Sequence, residues 1–298
     1  MTTLRSFSSL VSTQELATSL DNDKKGIKIL DASWHMPNTN RDPYQEFISK
    51  RIPGARFFGI DTIKDTSVDL PHMLPSANIF ADAVGKLGIN NKDHVVVYDS
   101  IGAFSAARVY WTFKAFGHDQ VSILNGGLPA WIRQGYPLIT TGNPPDAPVE
   151  EHYTAELNPQ LVRDYATMLK NGKRYQEGDK DGVPQVLDAR ALARFTGEAP
   201  EPRPGLSSGH MPGSVCVPFQ EVATEDGLYK DDVALKAVFE SKGVDLNRPI
   251  VASCGSGITA SVLYFALERA GAKDISVYDG SWTEYADKKD SIIIKDKQ

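Results

Sequence analysis

The sequence predicts an α/β protein built from two tandem domains, each a mainly parallel sheet flanked by helices. Three observations predict it. Apolar β-rich runs alternate with amphipathic helical patterns, as in "HVVVYDSIGAFSAARVYWTFKAFG", residues 94–117. The chain also repeats itself at half length: "RPIVASCGSGITASVLYFALERAG", residues 248–271, aligns with that stretch without a gap at an offset of 154. Finally, 298 residues suit two domains better than one. Strands alternating with helices call for parallel pairing, with both faces of the sheet covered.

The elements follow in order. "STQE" at Ser12–Glu15 is a capping box that opens a helix. "KILDASW" from Lys28 pairs with "QVLDARA" from Gln185, and "RIPGARF" from Arg51 with "HMPGSVC" from His210. "SILNGG" at Ser122 lies over "SVYDGS" at Ser276. Each half therefore reads strand, helix, strand, helix, strand, loop, helix, strand, helix. The proline-rich, acidic stretch "TGNPPDAPVEEHY", residues 141–153, reads as a linker. The expected domains are 1–140 and 156–298, with 141–155 between them. The run Glu150–His152 reads as solvated linker.

Composition excludes several classes. A net charge of −6 and a pI near 5.6 argue against a nucleic-acid surface. No apolar run approaches the roughly 18 residues of a membrane helix. Two cysteines make no disulfide framework, so a reducing compartment is expected. No metal-ligand spacing occurs, and no cofactor is expected. The start "MTTLRSFSSL" lacks a secretory apolar core and is faintly like a transit peptide. The expected compartment is the cytoplasm, with mitochondria second.

Under the 154 offset Cys254 falls on Ser100, so one half carries a thiol there and the other does not. Cys254 ends the run "PIVAS", and a helix is expected from near Ile258. Gly255 and Gly257 let the backbone between them turn several N–H groups inward. Those groups and the helix start stabilise negative charge, which favours a thiolate. The bland alternative is a small core residue at a strand end. The glycine loop tips the reading toward chemistry. Cys216, in "GSVCVPF", has no such loop and reads as a buried structural residue.

Several thiol and phosphate chemistries fail on the spacing. A cysteine phosphatase needs arginine six positions on, where Ala260 stands. A Walker loop needs a lysine that is absent, and a papain-like site needs a partner histidine.

"CGSGITA" after a strand, with the duplicated halves, resembles the tandem-domain sulfurtransferases of the rhodanese superfamily. Within them it resembles the 3-mercaptopyruvate sulfurtransferases. Matching stretches include "LVST" at Leu10, "HMLP" at His72, "AFGH" at Ala115, "EAPEPRPG" at Glu198, "GHMPGS" at Gly209 and "YDGSW" at Tyr278. The likeness spans nearly the whole chain.

The resemblance implies sulfur transfer from 3-mercaptopyruvate to a thiol through a persulfide on Cys254. It makes the second half catalytic and maps the persulfide and substrate cradle onto Gly255, Gly257, Ile258 and Thr259. It maps carboxylate anchors onto Arg194 and Arg203, whose guanidinium forks suit that group. It further implies an acid/base relay of Ser256, His72 and Asp61, with a site formed between the halves. Read without the resemblance, both arginines are solvated loop residues, His72 is a cap or packing residue, and Asp61 lies in a surface turn.

Thiosulfate-using relatives carry basic side chains in this loop, of the form Cys-Arg-Lys-Gly. Gly255 and Ser256 are neutral, which favours mercaptopyruvate as donor. The alternatives are a thiosulfate:cyanide sulfurtransferase and a persulfide relay for tRNA thiolation. Expected partners are the small-molecule donor and a thiol acceptor such as thioredoxin or a sulfur-relay protein, with neither direct nucleic-acid contact nor a membrane. His210 pairs with Arg51 across the repeat, and a structural role beside the Pro-Gly turn is expected for it.

Overall fold

The computed structural model describes residues 7–22 and 26–296. The Ser/Thr-rich residues 1–6, on which much of the transit-peptide reading rests, lie outside that range. The chain divides into two compact units. The first holds residues 1–65, 74–157 and 225–229; the second holds 66–73, 158–224 and 230–298. Residues 141–155, expected to be a linker, lie within the first unit. Tyr153 anchors them there, stacked on His118 with ring centroids 5.7 Å apart and edge-on to Phe80. The side chains of Glu150–His152 remain exposed, while the Glu151 N–H donates to the Gly85 carbonyl at 3.0 Å.

The first unit runs β1 (Leu10–Val11), α1 (Thr13–Asp21), β2 (Ile27–Asp31), α2 (Pro43–Ser49), β3 (Ala55–Phe57), α3 (Ala77–Lys86), β4 (His94–Tyr98), α4 (Ala106–Ala115), β5 (Val121–Leu124) and α5 (Gly127–Arg133). Ser12 caps α1 through the expected capping box with Glu15. The sheet order is β1-β5-β4-β2-β3, and every pairing is parallel. The interior of β4 is fully buried, as an apolar run with helices on both faces must be. Ile29, Val96, Phe47 and Trp131 lie in its core.

The second unit repeats the plan: β6 (Val162–Arg163), α6 (Tyr165–Gln176), β7 (Gln185–Asp188), α7 (Leu192–Thr196), β8 (Val215–Cys216), α8 (Asp232–Ser241), β9 (Ile250–Ser253), α9 (Ile258–Ala270), β10 (Ile275–Tyr278) and α10 (Ser281–Asp287). Its order, β6-β10-β9-β7-β8, is that of the first sheet element for element, and it too is wholly parallel. Val186, Val251, Tyr278 and Trp282 lie in the core. The two-domain α/β fold expected from the sequence is the fold observed, with a fifth strand at the edge of each sheet.

Candidate active site

Cys254 follows the last residue of β9, at the carboxyl edge of the sheet where open α/β folds gather ligands. Gly257 caps α9 with φ +85°, a left-handed conformation that glycine adopts without penalty. That turn aims the Gly257 N–H back at the thiol, donating to Cys254 Sγ at 3.1 Å. The Cys254 N–H donates to Ser281 Oγ at 3.2 Å, and its carbonyl accepts from the Trp282 N–H at 2.9 Å. Cys254 is 2 % exposed and Ser256 beside it is 7 % exposed. Ile258 and Thr259 form the first turn of α9.

The gapless alignment put Cys254 opposite Ser100; the structure puts it opposite Asp99. The Ala32 N–H donates to the Tyr98 carbonyl at 2.8 Å, as the Ala189 N–H donates to that of Ser253 at 2.8 Å. The Leu128 N–H donates to the Asp99 carbonyl at 2.9 Å, as the Trp282 N–H donates to that of Cys254. The first loop carries one residue more before its helix, which restores the offset at Gly117 and Gly271. Asp99 is buried, and its carboxylate accepts from the N–H groups of Ile101 (2.9 Å), Gly102 (2.5 Å) and Ala106 (2.8 Å). In one unit the loop holds a fixed anion; in the other it holds a thiol.

A shell of arginines flanks the second loop. Arg190 is buried and ion-paired to Asp188 (2.6 Å) and Glu201 (2.7 Å), with its guanidinium 4.1 Å from the Trp282 ring centroid. It also donates to the Gly209 carbonyl at 2.7 Å. Glu201 in turn grips Arg194, whose side chain stays partly exposed. A methyl group built on Gly255 would meet Arg194 Nη2 at 3.3 Å, so this guanidinium lies directly over the loop. Arg203 reaches the loop through Thr283: Arg203 Nη1 donates to Thr283 Oγ1 at 3.3 Å, and Thr283 Oγ1 donates to the Gly255 carbonyl at 2.6 Å.

The sequence reading thus named Arg194 and Arg203 but missed Arg190, Glu201 and Thr283, which set their positions. The Asp-x-Arg of "LDARA" was the available signal, since a β-strand end brings residues two apart onto one side.

His72 belongs to the second unit, 4 % exposed and with φ +61°. Asp61 belongs to the first unit, where its carboxylate accepts from Trp34 Nε1–H at 2.8 Å. Cys216 is half-buried on β8, and its Sγ lies 3.5 Å from the Arg190 carbonyl. Burial, reinforced by Asp188, pushes its thiol up to about 12. His210 stacks on Phe195 at 4.0 Å, and its Nδ1 lies 2.9 Å from the Phe195 carbonyl. Among the described residues no His, Cys, Asp and Glu cluster suits a metal, and no helix is long and apolar enough to cross a membrane.

A doubled parallel sheet with an N–H-lined thiol at one strand end defines a class of thiol-bearing α/β proteins. Residues 12–134 and 172–288 each match the rhodanese-like domain. The chain belongs to the rhodanese-like family. The 3-mercaptopyruvate sulfurtransferase of Rattus norvegicus is 44 % identical to it, across 94 % of this chain and 92 % of that one. The thiosulfate sulfurtransferase of the same species is 43 % identical, over the same shares of the two chains. The crystal structure of SseA from Escherichia coli, described with the 3-mercaptopyruvate sulfotransferases, superimposes with a TM-score of 0.80 at 36 % identity, covering 93 % of this chain and 99 % of that one.

Proposed function

We propose that this chain is a sulfurtransferase that moves sulfur from 3-mercaptopyruvate to a thiol through a persulfide on Cys254. The Cys254 thiolate attacks the mercapto sulfur. A sulfur–sulfur bond forms, the carbon–sulfur bond breaks, and its electron pair leaves on carbon as the enolate of pyruvate. The proton lost from the mercapto group ends on that carbon, giving pyruvate and the enzyme persulfide. A second thiol then takes the outer sulfur and restores the Cys254 thiolate. Hydrogen bonds from the loop N–H groups to a charged sulfur stabilise both the attacking and the resting species.

Ser256, His72 and Asp61 are the proposed acid/base relay. The cradle for the outer sulfur is Gly255, Gly257, Ile258 and Thr259. Arg194 and Arg203 are the proposed seats for the substrate carboxylate, one above the loop and one tied to it through Thr283. The physiological acceptor is proposed to be a small thiol or a thioredoxin-type dithiol, and the compartment the cytoplasm or mitochondria.

One observation carries the choice of donor. Similarity is nearly equal to mercaptopyruvate and thiosulfate enzymes, whereas the loop is uncharged at Gly255 and Ser256. The positive charge at this site comes from arginines outside the loop, Arg194, already shared with Glu201, and Arg203, tied to the loop through Thr283. That suits a donor whose sulfur sits on a neutral carbon with its carboxylate further out. Steady-state turnover with each donor at equal concentration tests it, and mercaptopyruvate is expected to be preferred. Replacing Gly255 and Ser256 with Arg and Lys is expected to move preference toward thiosulfate. A wild-type preference for thiosulfate overturns the reading of the loop, and loss of the Cys254 persulfide from the mass spectrum of the donor-treated enzyme overturns the mechanism.

A further inference from the structure

The first unit contains a pocket of about 350 Å³, and at the equivalent place in the second unit the Arg190 guanidinium lies over the Trp282 ring. The two units share sheet order and strand-end hydrogen bonds here, which pairs their residues. Asp31 ends β2 as Asp188 ends β7. The Ser33 N–H donates to Asp31 Oδ1 at 2.9 Å, as the Arg190 N–H donates to Asp188 Oδ1 at 3.0 Å. Leu128 takes the position of Trp282, each donating its N–H to the residue after the strand. Where the second unit places a guanidinium between an acid and an indole, the first has a serine and a leucine. Both are smaller, and Asp31, Ser33 and Leu128 all line the pocket.

The acid has stayed while its cation has gone. Asp31 is 1 % exposed, and its carboxylate is met by Ser33 and Tyr98, both neutral. Among the described residues no lysine or arginine pairs with it. Of the two cations in the pocket wall, Arg41 is answered elsewhere, donating twice to Glu46 at 2.7 and 2.6 Å. Glu46 also lies 3.2 Å from His35 Nε2. Lys50 stands exposed at the pocket wall. A buried carboxylate without a counter-charge at the base of an open pocket calls for an external cation of matching shape.

We propose that this pocket binds a small guanidino acid, its guanidinium forked onto Asp31 against Leu128 and its carboxylate directed to Lys50. The second unit displays the intended contact with its own Arg190, which donates to Asp188 from both Nε and Nη2. A bidentate fork on a carboxylate distinguishes guanidinium from ammonium, which presents a single point of charge. The volume accommodates a molecule the size of free arginine.

Isothermal titration of the full chain with L-arginine and with L-citrulline, its uncharged near-isostere, tests the proposal. Arginine is expected to bind at least about tenfold more tightly, because only it brings a charged donor to Asp31. Asp31→Asn is expected to erase that preference. Ser33→Arg with Leu128→Trp rebuilds the plug of the second unit and is expected to abolish arginine binding while sulfur-transfer turnover stays unchanged. Equal affinity for arginine and citrulline in the wild-type chain overturns the proposal. So does undiminished arginine binding in the plugged variant, or the absence of any arginine binding to the wild-type chain.

Discussion

The N–H of Gly257 donates to the Sγ of Cys254 across 3.1 Å, and the left-handed turn at Gly257 is what aims it. Any side chain at that position strains the turn by about 1 kcal/mol and rotates the donor away. Gly257→Ala is therefore expected to lower kcat for mercaptopyruvate more than it raises KM, while leaving the fold intact by circular dichroism. An unchanged kcat would show that this N–H does not stabilise charge on the sulfur.

The two cysteines differ in what surrounds them. Burial and Asp188 hold the Cys216 thiol up to about 12, so it stays protonated at neutral pH. Cys216→Ser is expected to keep turnover within about twofold of wild type, whereas Cys254→Ser is expected to release no pyruvate. Because the folded value lies above the ordinary one of 9.0, the protonated Cys216 contributes stability below about pH 9 that is lost as pH rises toward 12. A pyruvate-release assay on both variants checks the first expectation.

Asp99 occupies with a carboxylate the place that Cys254 holds in the other unit. Three loop N–H groups depend on it. Asp99→Ala is expected to destabilise the chain by about 1–3 kcal/mol, the cost of leaving buried donors without an acceptor. Turnover of the folded variant is expected to be unchanged. Urea denaturation and a turnover assay at low temperature separate the two effects.

Asp31 gives a pH signature. Burial raises its carboxyl to about 6 against the lowering bonds from Ser33 and Tyr98, and nearby Asp99 adds to the rise. The folded value is above the ordinary 3.8, so the contribution to stability is complete below pH 4 and is lost as pH rises through 6. Asp31→Asn removes the titration. Relative to wild type, the variant is expected to gain thermal stability between about pH 4 and 6 and to hold a constant advantage above about pH 7, without added arginine. A difference in Tm that does not vary with pH would contradict this.

Much of the fold was legible in the sequence because its signals are local and repeated. The apolar run from Ile250 and the glycine loop after Cys254 specify a strand-loop-helix corner from residue types alone. The pairing of "KILDASW" with "QVLDARA" identified Asp31 and Asp188 as equivalent strand ends. The partner of Cys254 was less legible. One inserted residue in a loop of small side chains leaves the flanking helices in register, so a gapless alignment absorbs it and names Ser100. Only backbone hydrogen bonds at the strand ends distinguish Asp99 from its neighbour. Arg190 was only half legible: its pairing with Asp188 two residues earlier is written in "LDARA", whereas its place against the Trp282 ring depends on residues far apart in the chain.

By itself the sequence determined the doubled α/β architecture, the thiol at the corner of the second half and the neutral loop around it. These depend on residue type and spacing along one short stretch. The tertiary structure alone decided which residue of the first loop replaces the thiol, how Arg194 comes to lie over Gly255, and where a pocket opens beneath Leu128. Those outcomes depend on the volume left when separate strands and helices pack, and on which buried charge finds a partner. Neither quantity is written in any single segment of the chain.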